Sequence, residues 1–399
     1  MSEKTRNILA IAMLLMLAGS AFVAGYFTND FIELQTGGTL VRQRQEFDVF
    51  WEAWDRIQDS FIGDLPSAQA LTYGAIRGSM ADLNDPYTVF IEPVARAEER
   101  QSLQGTFGGI GALLTRPEEG GPIVLEPIPG NPAEKAGVRL GDVLVAVDGV
   151  EITADTSVTA VRDMVRGEKG TVVVLTVIHE GETESVDLEV VRDDILDPSV
   201  SYRLMGDDNT IGYIRLARFS GESSKEVADA ITDLQDQGAQ SLILDLRNNG
   251  GGLLNAAVEV ADHFLTDGPI LYQVSKDEGE REYKATSETL APDMSLVVLI
   301  NGGTASASEI VAGALQDRDR ATLIGDHQSY GKGSVQLVYD LSDGSSVHVT
   351  SARWFTPDRH QIDQQGLQPD IVVEVTQAAV ENGRDEVLNR AVDFLQNER

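Results

Sequence analysis

The chain has 399 residues, 42% of them hydrophobic, with 64 acidic and 31 basic side chains and a net charge of −33. Such a length predicts two or three folded domains, and the acidic balance excludes a nucleic-acid binder and broad adhesion to anionic lipid. Cysteine is absent, which excludes disulfides, thiol catalysis and Cys-ligated zinc; the five histidines form no H-E-x-x-H, and neither a metal nor another cofactor is expected.

At the N-terminus, Lys4 and Arg6 precede an apolar run from Ile8 to Phe27, and Asp30 and Glu33 follow it. A run of about 20 apolar residues spans a bilayer, so 1–29 is read as an anchor with its N-terminus cytoplasmic. The expectation is a single-pass cell-membrane protein whose catalytic part is extracytoplasmic, periplasmic or extracellular. The rival is a signal peptide cleaved near Ala18-Gly19-Ser20, which would make the protein secreted. After Gly37-Gly38, apolar residues recur at helical spacing: Phe47, Phe50, Trp54, Ile57 and Phe61, then Leu71, Ile76 and Met80. They predict an N-terminal helical cap region over 43–100, with Asp85-Pro86 ending its helical section.

Residues 103–193 change character. Gly108, Gly109 and Gly111 flank Ile110, and strands are predicted over 123–126, 143–147 and 171–178. In NPAEKAGVRLGDVLVAVDGV (131–150), Pro132 opens a short helix, Gly137 closes it, and Gly141-Asp142 starts a buried strand ending in an Asp148-Gly149 turn. This segment resembles a PDZ domain. The resemblance implies that backbone N–H groups of Gly109, Ile110, Gly111 and Ala112 capture a peptide carboxylate while the peptide joins a sheet edge. Taken alone, the glycine-rich loop reads equally as a turn.

From 210 onward, strands predicted at 210–216, 241–246 and 296–300 alternate with helices at 222–237, 253–264 and 306–316. This order gives an α/β layer arrangement over 194–375, with a C-terminal helical tail over 376–399. Three short motifs in it carry chemistry. In TASASEI (304–310), Ser306-x-x-Glu309 matches a capping box; the same position offers free N–H groups and the positive end of a helix dipole to an oxyanion. In YGKGSVQ (330–336), Lys332 stands between Gly331 and Gly333. A strand over 332–336 would put Lys332, Ser334 and Gln336 on one face, with Gln336 holding the lysine and burial lowering its pKa toward that of a general base. Read in isolation, Lys332 is equally a solvated turn residue. A phosphate loop does not fit, because Gly325 to Gly331 is one residue too long and Gly333 replaces the hydroxyl residue. In DLRNNGGG (245–252), three glycines bare their N–H groups after a buried strand.

These motifs, with GAIRGSMADLNDPYTVFIEP (74–93) and WFTPDRHQIDQQGLQPDI (354–371), make the chain over 43–375 resemble the C-terminal processing (tail-specific) serine proteases. The resemblance implies a multidomain α/β protein: a crotonase-like serine protease core, an inserted PDZ domain and an N-terminal helical cap. It implies an extracytoplasmic Ser–Lys endopeptidase acting on polypeptides with free C-termini, without cofactor. Its nucleophile falls on Ser306, its general base on Lys332 and its supporting residue on Gln336. The oxyanion hole falls on the N–H of Ala307 and of the glycine turn, Gly252 or Gly251.

Three departures stand out: Gly250 where many members have proline, Thr304 for a common serine, and one extra residue in GDHQSYGK. The last brings His327 near as an alternative base. Arg166, in VRGEKG, reads as a sensor of bound peptide or as a surface arginine. Further partners left open are an adaptor protein, the membrane through the anchor, and a second copy of the chain. The rival readings are a non-catalytic PDZ-bearing scaffold and a latent protease awaiting a partner.

Overall fold

The computed structural model describes residues 47–117, 120–206, 208–286 and 289–397. They fall into two compact units divided between Ala75 and Ile76. The N-terminal apolar spacing forms the helices Asp48–Ser60 and Ala68–Ala81.

The single-pass membrane placement is corrected. Among the described residues no helix is long and apolar enough to cross a membrane. The longest have 14 residues, about 21 Å at the helical rise, against about 30 Å of hydrocarbon. The expected anchor over 1–29 itself lies outside the described residues.

In the second unit, a six-stranded sheet carries the chemistry-bearing motifs. Its order is Val200–Met205, Ile211–Leu216, Ser241–Asp245, Ser295–Ile300, Thr322–Gly325, Ile371–Val372. The first pair is antiparallel and the others are parallel. Side chains alternate along a strand, so each buried strand feeds two cores. From Ser295–Ile300, Leu296, Val298 and Ile300 pack with the helices Ser223–Asp236, Leu254–Asp262 and Ala307–Asp317. Val297 and Leu299 pack on the other face with Val387, Leu388, Ala391 and Leu395 of the C-terminal helix Glu386–Asn397.

Residues 112–191 form a second body with its own core of Ile123, Leu125, Leu144, Val161, Val173, Leu175 and Val177. The sheet order is Ala112–Thr115, Ile123–Pro127, Asp142–Val147, Val172–Ile178, Ser185–Val191. Its helix Val158–Val165 is capped by Ser157, whose Oγ accepts the Ala160 N–H at 3.1 Å. Ala112–Thr115 stands at one end of the sheet, a free edge among the described strands.

A third sheet centres on the ten-residue strand Ser346–Phe355, which pairs with Val89–Ile91, Pro269–Ser275 and Ser334–Asp340. Ser334–Asp340 begins two residues after Lys332.

Candidate active site

Parallel pairing matches Asp245 with Leu299, so the strands Ser241–Asp245 and Ser295–Ile300 end side by side. Ligand sites of parallel sheets form at such carboxyl ends. Here the turn 247–252 meets the turn 301–306, and the register joins motifs more than fifty positions apart. Asn249 fastens them together. Its side chain donates to Leu216 O and accepts the Gly251 N–H, both at 2.9 Å, and its carbonyl accepts Ala305 N–H at 3.0 Å and Ser308 Oγ at 2.8 Å. Thr304, fully buried, donates from Oγ1 to Leu246 O at 2.9 Å.

Ser306 is the residue before the helix Ala307–Asp317, with φ 57° and ψ −115°. Positive φ is uncommon for a residue with a Cβ and costs on the order of 1–3 kcal/mol, so the surrounding contacts must hold it. One of those contacts is Glu309, whose Oε2 accepts the Ser306 N–H at 2.7 Å. Glu309 is fully buried, and its carboxylate also accepts Ser329 Oγ at 2.5 Å, Gly331 N–H at 2.7 Å and Lys332 N–H at 2.9 Å. Burial pushes its pKa up, against these four hydrogen bonds, which favour the ionised form. The capping-box glutamate therefore also holds the lysine loop.

Ser306, Lys332 and Gln336 line one cavity of about 340 Å³, together with Ala307, Gly250 and Gly252. One wall is apolar, with Leu253, Ile310, Val335 and Trp354; another part is polar, with His348 Nε2 3.2 Å from Glu99 Oε2. Gly252 has φ 144°, and a Cβ there would sit 2.1 Å from Phe219 O, so only glycine fits. The Gly251 N–H is taken by Asn249. Among the described residues the N–H groups of Gly252 and Ala307 have no hydrogen-bond partner.

Lys332 is half-buried, and desolvation lowers its pKa from the ordinary lysine value, opposed by the charges of Glu99, Asp85 and Glu309. It precedes the strand Ser334–Asp340, on which Ser334 and Gln336 share a face; the register shift opposite Val335 and Gln336 places its extra residue, Ser351, on the partner strand Ser346–Phe355. Gln336 Nε2 donates to Ser334 Oγ at 2.8 Å and Thr350 Oγ1 at 3.3 Å. Nζ of Lys332 lies over the Tyr87 ring, 5.1 Å from its centroid, with no hydrogen bond to Ser306 Oγ among the described residues.

His327 is not a cavity residue; its side chain is 76% exposed and pairs with Asp326 at 3.2 Å. Just before the 112–191 body, Ile110 is buried in its core, and the carbonyls of Ile110 and Gly111 accept Ala133 N–H and Ile128 N–H. Gly111 has φ 69° and lies against Asn131; Gly109 pairs with Asp193, and Ala112 begins the free-edge strand. Arg166 stacks over the Phe107 ring at 4.5 Å, beside this loop. Among the described residues no group of three or more His, Asp or Glu is placed to hold a metal ion.

Sequence reasoning missed Asn249, Glu309 and Tyr87 as site residues. All three lie inside motifs it singled out, but their partners are fixed only by the fold.

The matching family model over residues 210–373 is peptidase family S41, and a PDZ-domain model matches 123–178. The chain is 35% identical to the carboxyl-terminal-processing protease of Synechocystis sp., covering 99% of this chain and 95% of that protein. Identity is 37% with the carboxy-terminal-processing protease of Bartonella bacilliformis, over 88% of this chain and 82% of that one. With the carboxy-terminal processing protease CtpA of Bacillus subtilis it is 33%, over 92% and 75%. A solved photosystem II D1 C-terminal processing protease is 36% identical, covering 80% of this chain and 86% of its own, with a TM-score of 0.46.

Proposed function

Because the chain belongs to the carboxyl-terminal-processing proteases of peptidase family S41, and is thus a serine peptidase acting on C-termini, we propose that it cuts polypeptides by a Ser–Lys mechanism. The observation that carries this reading is the convergence of Ser306, Lys332 and Gly252 on one cavity, with Ser306 in a constrained positive-φ turn.

In this mechanism neutral Lys332 takes the hydroxyl proton of Ser306 as Oγ attacks the scissile carbonyl. The carbonyl oxygen becomes the oxyanion, held by the N–H groups of Gly252 and Ala307, which have no other partner among the described residues. The Lys332 ammonium then gives its proton to the leaving amine, and water hydrolyses the acyl-enzyme with the lysine again as base. Gln336 has its Nε2 engaged by Ser334 and Thr350, which leaves Oε1 as the acceptor for that ammonium. The apolar wall formed by Leu253, Ile310, Val335 and Trp354 suits an apolar side chain beside the scissile bond.

The free edge of Ala112–Thr115 is the place for a substrate C-terminus to add as a strand. A second reading, a resting protease that a bound peptide or adaptor engages, is favoured by one observation: Lys332 Nζ rests on Tyr87 rather than on Ser306.

The test is cleavage of an unstructured protein with a free apolar C-terminus, or its C-terminal amide, by the full chain and by Ser306→Ala and Lys332→Ala. Cleavage lost in both folded variants, and slowed by amidation, is expected. Retained cleavage in Lys332→Ala would remove lysine from the mechanism, and equal rates on acid and amide would remove the carboxylate from recognition.

A further inference from the structure

Lys332 is faced from several elements. Glu99 lies on the helix Pro93–Gln104, Asp85 in the turn before Val89–Ile91, Glu309 on the nucleophile helix, and His348 on the strand Ser346–Phe355. Each acidic group acts through charge. Tyr87 acts differently: its ring face, rather than an anionic group, meets Nζ, 5.1 Å from the ring centroid.

The ring is itself anchored. The Tyr87 N–H donates to Asp85 Oδ1 at 3.1 Å, and Thr88 Oγ1 donates to Asp85 Oδ2 at 2.6 Å. Thr88 Oγ1 in turn accepts the Thr350 N–H at 3.1 Å, on the strand that pairs with Ser334–Asp340. The phenol is engaged by Tyr330, and burial together with the Tyr330, Asp363 and Glu309 charges pushes its pKa up to about 12, so it stays neutral. Tyr87 is not among the residues that line the cavity.

We propose that Tyr87 is a positioning residue for Lys332: its ring face stabilises the ammonium that forms when the lysine accepts the Ser306 proton, and holds Nζ beside the cavity. This rests on Lys332 being the base. The aromatic quadrupole attracts an ammonium and not a neutral amine, so the ring favours the protonated lysine, and hence the transition state in which that proton is arriving. Burial alone does the opposite. The two act in opposite directions on the lysine, burial easing loss of its proton and the ring easing its return.

Two variants of the full chain separate ring from hydroxyl. Tyr87→Leu keeps apolar bulk and loses the ring face; Tyr87→Phe keeps the ring and loses the hydroxyl. Cleavage of a peptide with a free apolar C-terminus, and labelling of Ser306 by a fluorophosphonate, are followed from pH 5 to 10. Tyr87→Leu is expected to lower plateau kcat by about tenfold with KM within about twofold, and to move the acid limb down by about half a pH unit. Tyr87→Phe is expected to keep both the rate, within about twofold, and the limb.

An unchanged rate and limb in Tyr87→Leu would overturn the proposal, as would an equal loss in Tyr87→Phe. If the Leu variant does not fold, the Phe variant still decides: a tenfold loss there overturns the role of the ring. Lys332→Ala is assayed alongside. Activity surviving in it defeats the lysine base itself, whereas an inactive Lys332→Ala beside an unaffected Tyr87→Leu defeats only the ring.

Discussion

Oε2 of Glu309 lies 2.9 Å from the backbone nitrogen of Lys332, and the same oxygen accepts the N–H of Ser306 at 2.7 Å. One buried carboxylate therefore sets the distance between the two loops of the site through their backbones. Its charge also acts on Lys332, opposing the depression of the lysine pKa.

Replacing Glu309 by glutamine tests this arrangement. In either amide orientation an NH2 group faces at least one backbone N–H, from Gly331 or from Ser306 and Lys332. A buried unsatisfied donor costs about 1–3 kcal/mol. Glu309→Gln is expected to lower both Tm and the rate of fluorophosphonate labelling of Ser306, the latter by about a hundredfold. Wild-type labelling would show that the carboxylate does not organise the site.

Activity should follow the protonation of Lys332. Burial lowers its pKa, and the proton must be off for the lysine to act as base. Below that pKa, kcat/KM is expected to rise about tenfold per pH unit, and above it to level off. Glu99 is the leading charge that opposes the depression, so Glu99→Gln should move the limb to lower pH. A flat profile from pH 5 to 9 would contradict a lysine base.

The same depressed pKa has a stability sign. A lysine whose folded pKa lies below its unfolded value of 10.5 disfavours folding whenever the unfolded lysine is protonated. The penalty grows as pH falls from the unfolded to the folded pKa and is constant below it. Lys332→Met is therefore expected to raise Tm by about 2 °C at pH 7 while abolishing cleavage, with the gain shrinking towards pH 10. Melting curves at the two pH values check it; an equal or lower Tm at pH 7 would refute it.

The glycine turn divides by position. At Gly250 a Cβ meets nothing within 4 Å, whereas at Gly252 it meets Phe219 O at 2.1 Å. Gly250→Ala should retain cleavage within about threefold. Gly252→Ala should lose it by more than about a hundredfold, because the turn must shift and carry its N–H away from the oxyanion. Comparable kcat in the two variants would place the oxyanion donor elsewhere.

Much of the fold was legible because its signals are local. Short, nearly continuous apolar runs marked the strands Ile211–Leu216, Ser241–Asp245 and Ser295–Ile300, and glycines marked the turns after the last two. Ser306 and Lys332 stood out for the same reason, each within a few residues of small neighbours that leave room for chemistry. The capping box of Ser306 and Glu309 was equally visible, since its partners are three positions apart.

Sequence alone determined the element order and the residue types available for nucleophile and base. The tertiary structure decided which partners those residues have. Sheet register brings Asn249 to Ala305, the fold brings Glu309 to Gly331 and Lys332, and the Asp85-Pro86 turn brings the Tyr87 ring to Nζ. Alternation along the strand puts Gln336 beside Ser334, but only pairing with Ser346–Phe355 brings it to Thr350. The physical reason is one of range: propensity and periodicity report contacts within a turn or a strand. A hydrogen bond or ring contact between residues tens or hundreds of positions apart exists only after register and packing have brought them together.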